Sequence, residues 1–232
     1  MALTTIFPGV YELALGPVNV FFIEDGPQLT LIDTGYEHKE QPILEAAQTL
    51  GKQPTDISNI VVTHCHPDHA GSLAALKQQT QASVWMHHAD AEVVRGNIPM
   101  HRSTPSPGLL NQILYRIFIK NVPAQVPQAV VDHEIGDGDE LPLAGGLKAL
   151  HAPGHSAGHM TFVLPRDGGL LFAADACSNL PMLGYSIVYD DHAEGRRSLA
   201  KLATLDVSAI CFGHGRSLKQ AGVRKFQQKW RA

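Results

Sequence analysis

The sequence predicts an α/β chain in which two sheets pack face to face under helical cover. Three observations lead there. Short apolar runs rich in β-branched residues recur in both halves, each broken by Gly or Pro. Segments with helical spacing alternate with them. The 232 residues are enough for a sizeable core, and 44% of them are hydrophobic, as in ordinary globular proteins. Residues 1–232 read as a single domain with an irregular insert at about 95–130.

The elements follow in chain order. "VYELAL", "VNVFFIE" and "LTLIDTG" read as a meander of antiparallel strands. "KEQPILEAAQTLG" is a helix: Ile43, Leu44, Ala47 and Leu50 share one face, and Gly51 stops it. "ISNIVVTH" is a strand, "AGSLAALKQQT" a helix and "ASVWMHH" a strand. The second half repeats the style with strands "LKALHAP", "HMTFVLP", "GLLFAAD" and "AICFGH". Its helix, "EGRRSLAKLATL", spaces Leu199, Leu202 and Leu205 for one face. Two such halves suit two packed sheets with helices outside.

The insert differs from both halves. "RGNIPMHRSTPSPG" is full of helix and strand breakers. "LLNQILYRIFIK", residues 109–120, then places Leu110, Ile113, Leu114, Ile117 and Phe118 on one helical stripe. Such a stripe faces either the core or, from an irregular insert, a pocket or a partner.

Bulk features narrow the partners. The formal net charge is −4, which does not favour nucleic acid or another large polyanion. The N-terminus has no basic segment followed by a long apolar run, and no stretch approaches the ~18 apolar residues of a membrane span. Three scattered cysteines, Cys65, Cys177 and Cys211, give no disulfide framework and fit a reducing cytoplasm. The expected partner is a small-molecule substrate, with neither nucleic acid nor membrane, and with a homodimer as an open option.

The thirteen histidines are the unusual feature. "THCHPDH" puts His64, His66, Asp68 and His69 within six residues, directly after the run Ile60, Val61, Val62. Buried imidazoles and carboxylates are costly without partners. A rigid strand end that presents them in one tight turn gives a cation its ligands. His64 and His66 can reach one ion; Asp68 and His69 can reach a second. Imidazole and carboxylate suit Zn²⁺, and also Fe or Mn. Three further strand ends carry such groups: "APGHSAGH", "FAADA" and "CFGHG". Cys65 alternates with two convergent ligands and so points elsewhere. His87, His88, His101 and His151 show no partner pattern.

"THCHPDHAG" resembles the HxHxDH signature of the metallo-β-lactamase superfamily. "LTLIDTG", "PGHSAGH", "AAD" and "FGHG" resemble its later landmarks, and the resemblance covers roughly residues 8 to 218. It implies a four-layer αββα sandwich and a dinuclear zinc-dependent hydrolase. The first ion would be held by His64, His66 and His155, the second by Asp68, His69 and His214, with Asp175 bridging. Asp33 and His159 would support the ligands from behind, as ligating imidazoles usually donate their other N–H to an oxygen. A hydroxide bridging the two ions would attack a small ester, thioester or lactone, with Asp68 as the catalytic carboxylate that orients it and moves its proton.

The subfamily resemblances diverge. The first motif is similar to that of glyoxalase II, but only 18 residues follow His214, where glyoxalase II has a helical extension. Lactone-cleaving members keep a Tyr soon after the bridging Asp, whereas the nearest here is Tyr185. Persulfide dioxygenases share these motifs with a single iron and oxygen chemistry, so a mononuclear iron enzyme is the alternative. A non-catalytic metal-binding relative is the second alternative.

Overall fold

Strand β3 (Asn19–Asp25) shows the rule by which the chain folds. Asn19 through Ile23 are all buried, and alternate side chains enter different cores. Val20 and Phe22 join one cluster; Phe21 and Ile23 join another. A strand covered on both faces must be apolar at both parities, which is why these runs read as continuous rather than alternating.

The computed structural model describes residues 3–231. The first sheet is built from β1 (Leu3–Phe7), β2 (Val10–Ala14), β3, β4 (Gln28–Ile32), β5 (Ile57–Val61), β6 (Ser83–His87) and, beyond the two-residue β7 (Thr104–Pro105), β8 (His133–Ile135). These seven strands lie in chain order. The pairs from β1 to β4 are antiparallel, and those from β4 through β5 and β6 to β8 are parallel.

The second half adds β9 (Glu140–Leu141), β10 (Leu147–His151), β11 (Met160–Leu164), β12 (Leu170–Ala174), three two-residue strands β13 (Ser178–Asn179), β14 (Leu183–Gly184) and β15 (Val188–Tyr189), then β16 (Ala209–Phe212) and β17 (Leu218–Lys219). The second sheet runs β17-β16-β12-β11-β10-β9, with only β12 and β16 parallel.

Three apolar layers separate four structural layers. Phe21, Ile32 and Val61 from the first sheet meet Phe162, Phe172 and Cys211 from the second. Outside the first sheet, α1 (Glu40–Thr49) and α3 (Leu73–Thr80) bury Ile43, Leu44, Leu73 and Leu76. Outside the second, α6 (His192–Leu202) and α7 (Ala221–Trp230) bury Leu199, Leu202, Val223, Phe226 and Trp230. Each such side chain contributes roughly 1.5–3 kcal/mol on burial. The result is the αββα sandwich.

Several elements differ from the sequence expectation. The helix expected over 70–80 starts at Leu73, and a separate single turn, α2 (Pro67–Ala70), precedes it. Gly71 joins them, because a Cβ there would collide with the Pro67 carbonyl and with backbone at Tyr36 and Glu37. Strand β1, the helix α4 (His88–Val94) and α7 were not expected. In the insert, α5 (Leu109–Leu114) continues into a π-helical stretch, Tyr115–Ile119. The core option for its stripe fails: Leu110 is 66% exposed and Ile117 65%.

Parallel pairing has one consequence for function. β4 and β5 end at the same edge, as do β12 and β16. The residues that follow these carboxyl ends are Asp33, His64, Asp175 and His214, and open α/β sheets present ligands at such ends.

Candidate metal centre

His64 leaves β5 through Val62 and Thr63, and His66 caps α2, whose first residue is Pro67. Proline suits that position, since its missing N–H has no helical partner anyway. The single turn then carries Asp68 and His69. His155 lies in the turn between β10 and β11. Asp175 follows Ala174, whose φ of 45° coincides with a register shift between β12 and β16. A left-handed alanine costs roughly 1–2 kcal/mol, and here it turns the next carboxylate inward. His214 follows β16 across Gly213, where a Cβ would collide with Asp175 Oδ1 and the His69 ring.

These elements bring seven of the sequence-predicted residues together. His64, His66 and His155 offer ligand atoms all within 4.8 Å of one another, as do Asp68, His69 and His214, and as do His64, His69 and Asp175. Asp175 Oδ2 lies 3.5 Å from His155 Nε2 and 3.2 Å from His214 Nε2. Asp68 Oδ2 is 3.1 Å from His214 Nε2. His66 Nδ1 is 2.9 Å from His155 Nε2.

The far sides of the His64, His69, His155 and His214 rings are anchored. His155 Nδ1 donates to the Val188 carbonyl at 2.9 Å and His214 Nδ1 to the Pro17 carbonyl at 2.8 Å. His69 Nδ1 meets Asp33 Oδ2 at 2.8 Å. Asp33 also accepts from the Thr63 amide and hydroxyl, and that hydroxyl lies 2.9 Å from His64 Nδ1. His159 stands behind the cluster with both nitrogens occupied: Nδ1 donates to the Ala152 carbonyl, and Nε2 accepts the Asp175 amide. With the outer nitrogens bonded, the inner ones are left to present lone pairs to a cation once deprotonated.

A divalent cation fits this arrangement. His64 Nε2, His69 Nε2 and Asp175 Oδ1 are buried and have no hydrogen-bond partner. Such orphans are costly, and a cation satisfies all three at once. The all-nitrogen-and-oxygen donor set suits Zn²⁺, Fe or Mn.

The electrostatics of the metal-free cluster are divided. Burial disfavours protonation of His69 and His214, but Asp175 and Asp68 outweigh it, with help from Asp33 at His69. His69 is thereby raised to about 9 and His214 well above its ordinary value. His64 and His155 are lowered well below theirs, by burial and then by neighbouring imidazoles. Burial also works against the charge on Asp68 and Asp175, yet the imidazoles beside them hold both below the usual carboxylate range. Two protonated imidazoles thus stand in for cationic charge, and metal binding would displace those protons.

Three residues were not foreseen. Asp90, in the first turn of α4, is buried and joins the two ligand loops: it accepts from the Cys65 amide at 2.9 Å, the Ser156 hydroxyl at 2.6 Å and the Gly158 amide at 2.7 Å. Tyr36 lines the pocket in front of the metal centre, and burial together with Asp68 raises its pKa. Ser103, in the insert, donates to Asp190 and lies 3.4 Å from His66 Nε2. The remaining histidines lie elsewhere or at the rim. His87 stacks on His151 with ring centroids 4.3 Å apart, and His101 pairs with Asp190 at the pocket edge. Cys65 is buried in the outer core, away from the ligand atoms.

The pocket has a volume of about 460 Å³. His66, Asp68, His155, Asp175 and His214 form its floor, and Leu114, Tyr115, Phe118 and Ile119 come from the insert helix above. The stripe expected along that helix is therefore split. Leu114 and Phe118 face the pocket, while Leu110, Ile113 and Ile117 face outward.

The chain is similar to known proteins. Residues 13–214 match the model of the metallo-beta-lactamase superfamily. A Bacillus subtilis protein, YobT, is 29% identical over 96% of this chain and 91% of its own. A hydroxyacylglutathione hydrolase of Rhizobium meliloti is 30% identical over 79% of this chain, but the match spans only 57% of that relative's length. A metallo-beta-lactamase from Cronobacter sakazakii superposes with a TM-score of 0.77 at 22% identity, covering 100% of this chain and 95% of that one. This chain, with its αββα sandwich and its histidine-rich strand ends, belongs to the metallo-beta-lactamase superfamily.

Proposed function

We propose that the chain is a metal-dependent hydrolase of a small ester, thioester or lactone, with two divalent ions, zinc foremost. His64, His66 and His155 would hold one ion, Asp68, His69 and His214 the other, and Asp175 both. One observation carries this reading: a single carboxylate, Asp175, lies within 3.5 Å of an imidazole from each triad. Both triads are complete, as two ions require; the metal content separates this reading from a mononuclear iron dioxygenase, which shares the motifs. The hydroxyacylglutathione hydrolase relatives support thioester cleavage within that class.

Bound there, the ions would bring the pKa of water toward neutrality, to ~7 for a single Zn²⁺, and polarise a carbonyl. The chain's own groups do the rest. Asp68 stays ionised and partly open to the pocket, so it can orient the attacking water, take its proton and pass it to the leaving group. Tyr36 keeps its proton and can donate a hydrogen bond to an oxygen that gains charge. The apolar roof accepts an acyl group. The buried thiols do not compete as nucleophiles: burial pushes Cys65 and Cys177 up, and Cys211 up to about 12. Free, buried cysteines also fit a cytoplasmic setting.

A panel of aryl esters, acyl thioesters and lactones tests this reading, assayed with zinc-loaded and with chelator-treated protein. Turnover should require metal and return when zinc is restored. Turnover that ignores the chelator would refute the mechanism.

A further inference from the structure

The described residues have ten exposed large hydrophobic side chains, and all ten fall in two segments. Eight lie between Ile98 and Val130; the others are Leu180 and Met182. Both segments reach the pocket, through Phe118 and Val122 in the first and Leu180 in the second. The insert helix with Val122, and Leu180 with Met182, therefore form one apolar collar around its mouth, whereas Val130 lies beside α3. Leu109 is 74% exposed, Met182 73% and Ile117 65%, which is far from the scattered single exposures of an ordinary surface.

The collar's charge is one-sided. Residues 93–131 contain four Arg or Lys and no Asp or Glu, and residues 176–189 contain no charge at all, although the whole chain carries −4. Arg95 is engaged by Glu92 and Glu134. Arg102, Arg116 and Lys120 form no ion pair among the described residues.

We propose that this collar lies on an anionic lipid bilayer, with the pocket opening toward the membrane surface. Its composition is that of an interfacial helix: Leu, Ile and Phe beside Arg and Lys. Anionic headgroups attract the cations, and the acyl boundary accepts the apolar side chains. A second copy fits poorly. A two-fold contact places the same collar against itself, so three cations from each copy would meet with only Asp190, already engaged by His101 and Ser103, at the rim. No helix among the described residues is long and apolar enough to cross a membrane; the inferred attachment lies on the surface. It does not depend on which ester the pocket cleaves.

Co-sedimentation of the metal-loaded protein tests this, with vesicles of phosphatidylcholine alone and vesicles of phosphatidylcholine mixed with phosphatidylglycerol. The protein should pellet with the mixed vesicles and be released in part by salt. Leu110→Glu with Ile117→Glu, and separately Arg116→Glu, should weaken binding roughly tenfold or more. None of these three residues lines the pocket, so metal content and hydrolysis of a water-soluble ester should be unchanged, and circular dichroism melting confirms that each variant folds. Protein that stays in the supernatant with both vesicles overturns the proposal. So does binding that survives Leu110→Glu with Ile117→Glu, or sedimentation velocity showing a dimer that those two substitutions dissociate.

Discussion

At His69 three carboxylates surround one imidazole. Asp33 holds Nδ1 at 2.8 Å, while Asp175 and Asp68 stand 3.5 and 3.8 Å from Nε2. The metal-free protein therefore keeps a proton there to about 9, against an ordinary 6.5. A folded-state value above the unfolded one stabilises fully below 6.5, and that contribution disappears as pH rises through 9. His64, His155 and His159 are lowered, so their contribution is lost in the other direction, as pH falls below 6.5. Melting of chelator-treated protein should accordingly fall as pH is raised from neutrality through 9, more steeply than melting of zinc-loaded protein. Both forms carry the same buried thiols, so the difference isolates the imidazoles. A metal-free melting temperature that does not fall more steeply than the loaded one would contradict this picture. At this scale the sequence was informative where chemistry repeats along the chain: His64, His66, Asp68 and His69 announce themselves by spacing. Asp90 does not, because two of its three partners are backbone amides, which no residue type reveals.

The insert helix is the element whose role spacing alone left open. Its apolar residues fit a core stripe as well as a pocket roof, and only the neighbours decide. Phe118 is 59% exposed and lines the pocket, whereas Phe226 of α7 is 1% exposed in the outer core of the second sheet. Phe226→Ala should cost about 3–5 kcal/mol of stability. Phe118→Ala should leave melting nearly unchanged and raise KM roughly tenfold for long acyl chains while sparing short ones, since one moderate apolar contact is worth ~1–3 kcal/mol. Melting curves and an acyl-length series measure both, and a large melting drop with an unchanged length profile would remove the helix from the pocket. The strands were legible because β3, β4, β12 and β16 are covered on both faces over most of their length and so carry nearly continuous apolar runs. Helix α7 carried a signal too, with Val223, Phe226 and Trp230 at helical spacing. Strand β1 was harder, since it lies at a sheet edge and buries only Ile6 fully.

Over the whole molecule, each triad takes two side chains from the first sheet's strand ends and one from the second's. His64 and His66 meet His155; Asp68 and His69 meet His214. Two ions would thus fasten the sheets together at one edge, while Phe21, Phe162 and Phe172 join them in the middle. That pairing of residues some ninety or more positions apart was not legible from spacing. It follows from which strands run parallel and end at the same edge, and the sequence pointed to it only through a family resemblance. The most direct check is the metal content of the purified chain, measured by mass spectrometry beside that of Asp175→Ala. Two equivalents of zinc, iron or manganese per native chain are expected, with fewer than two in the variant. A native chain that holds a single ion, or an Asp175→Ala chain that keeps both, would contradict the dinuclear centre.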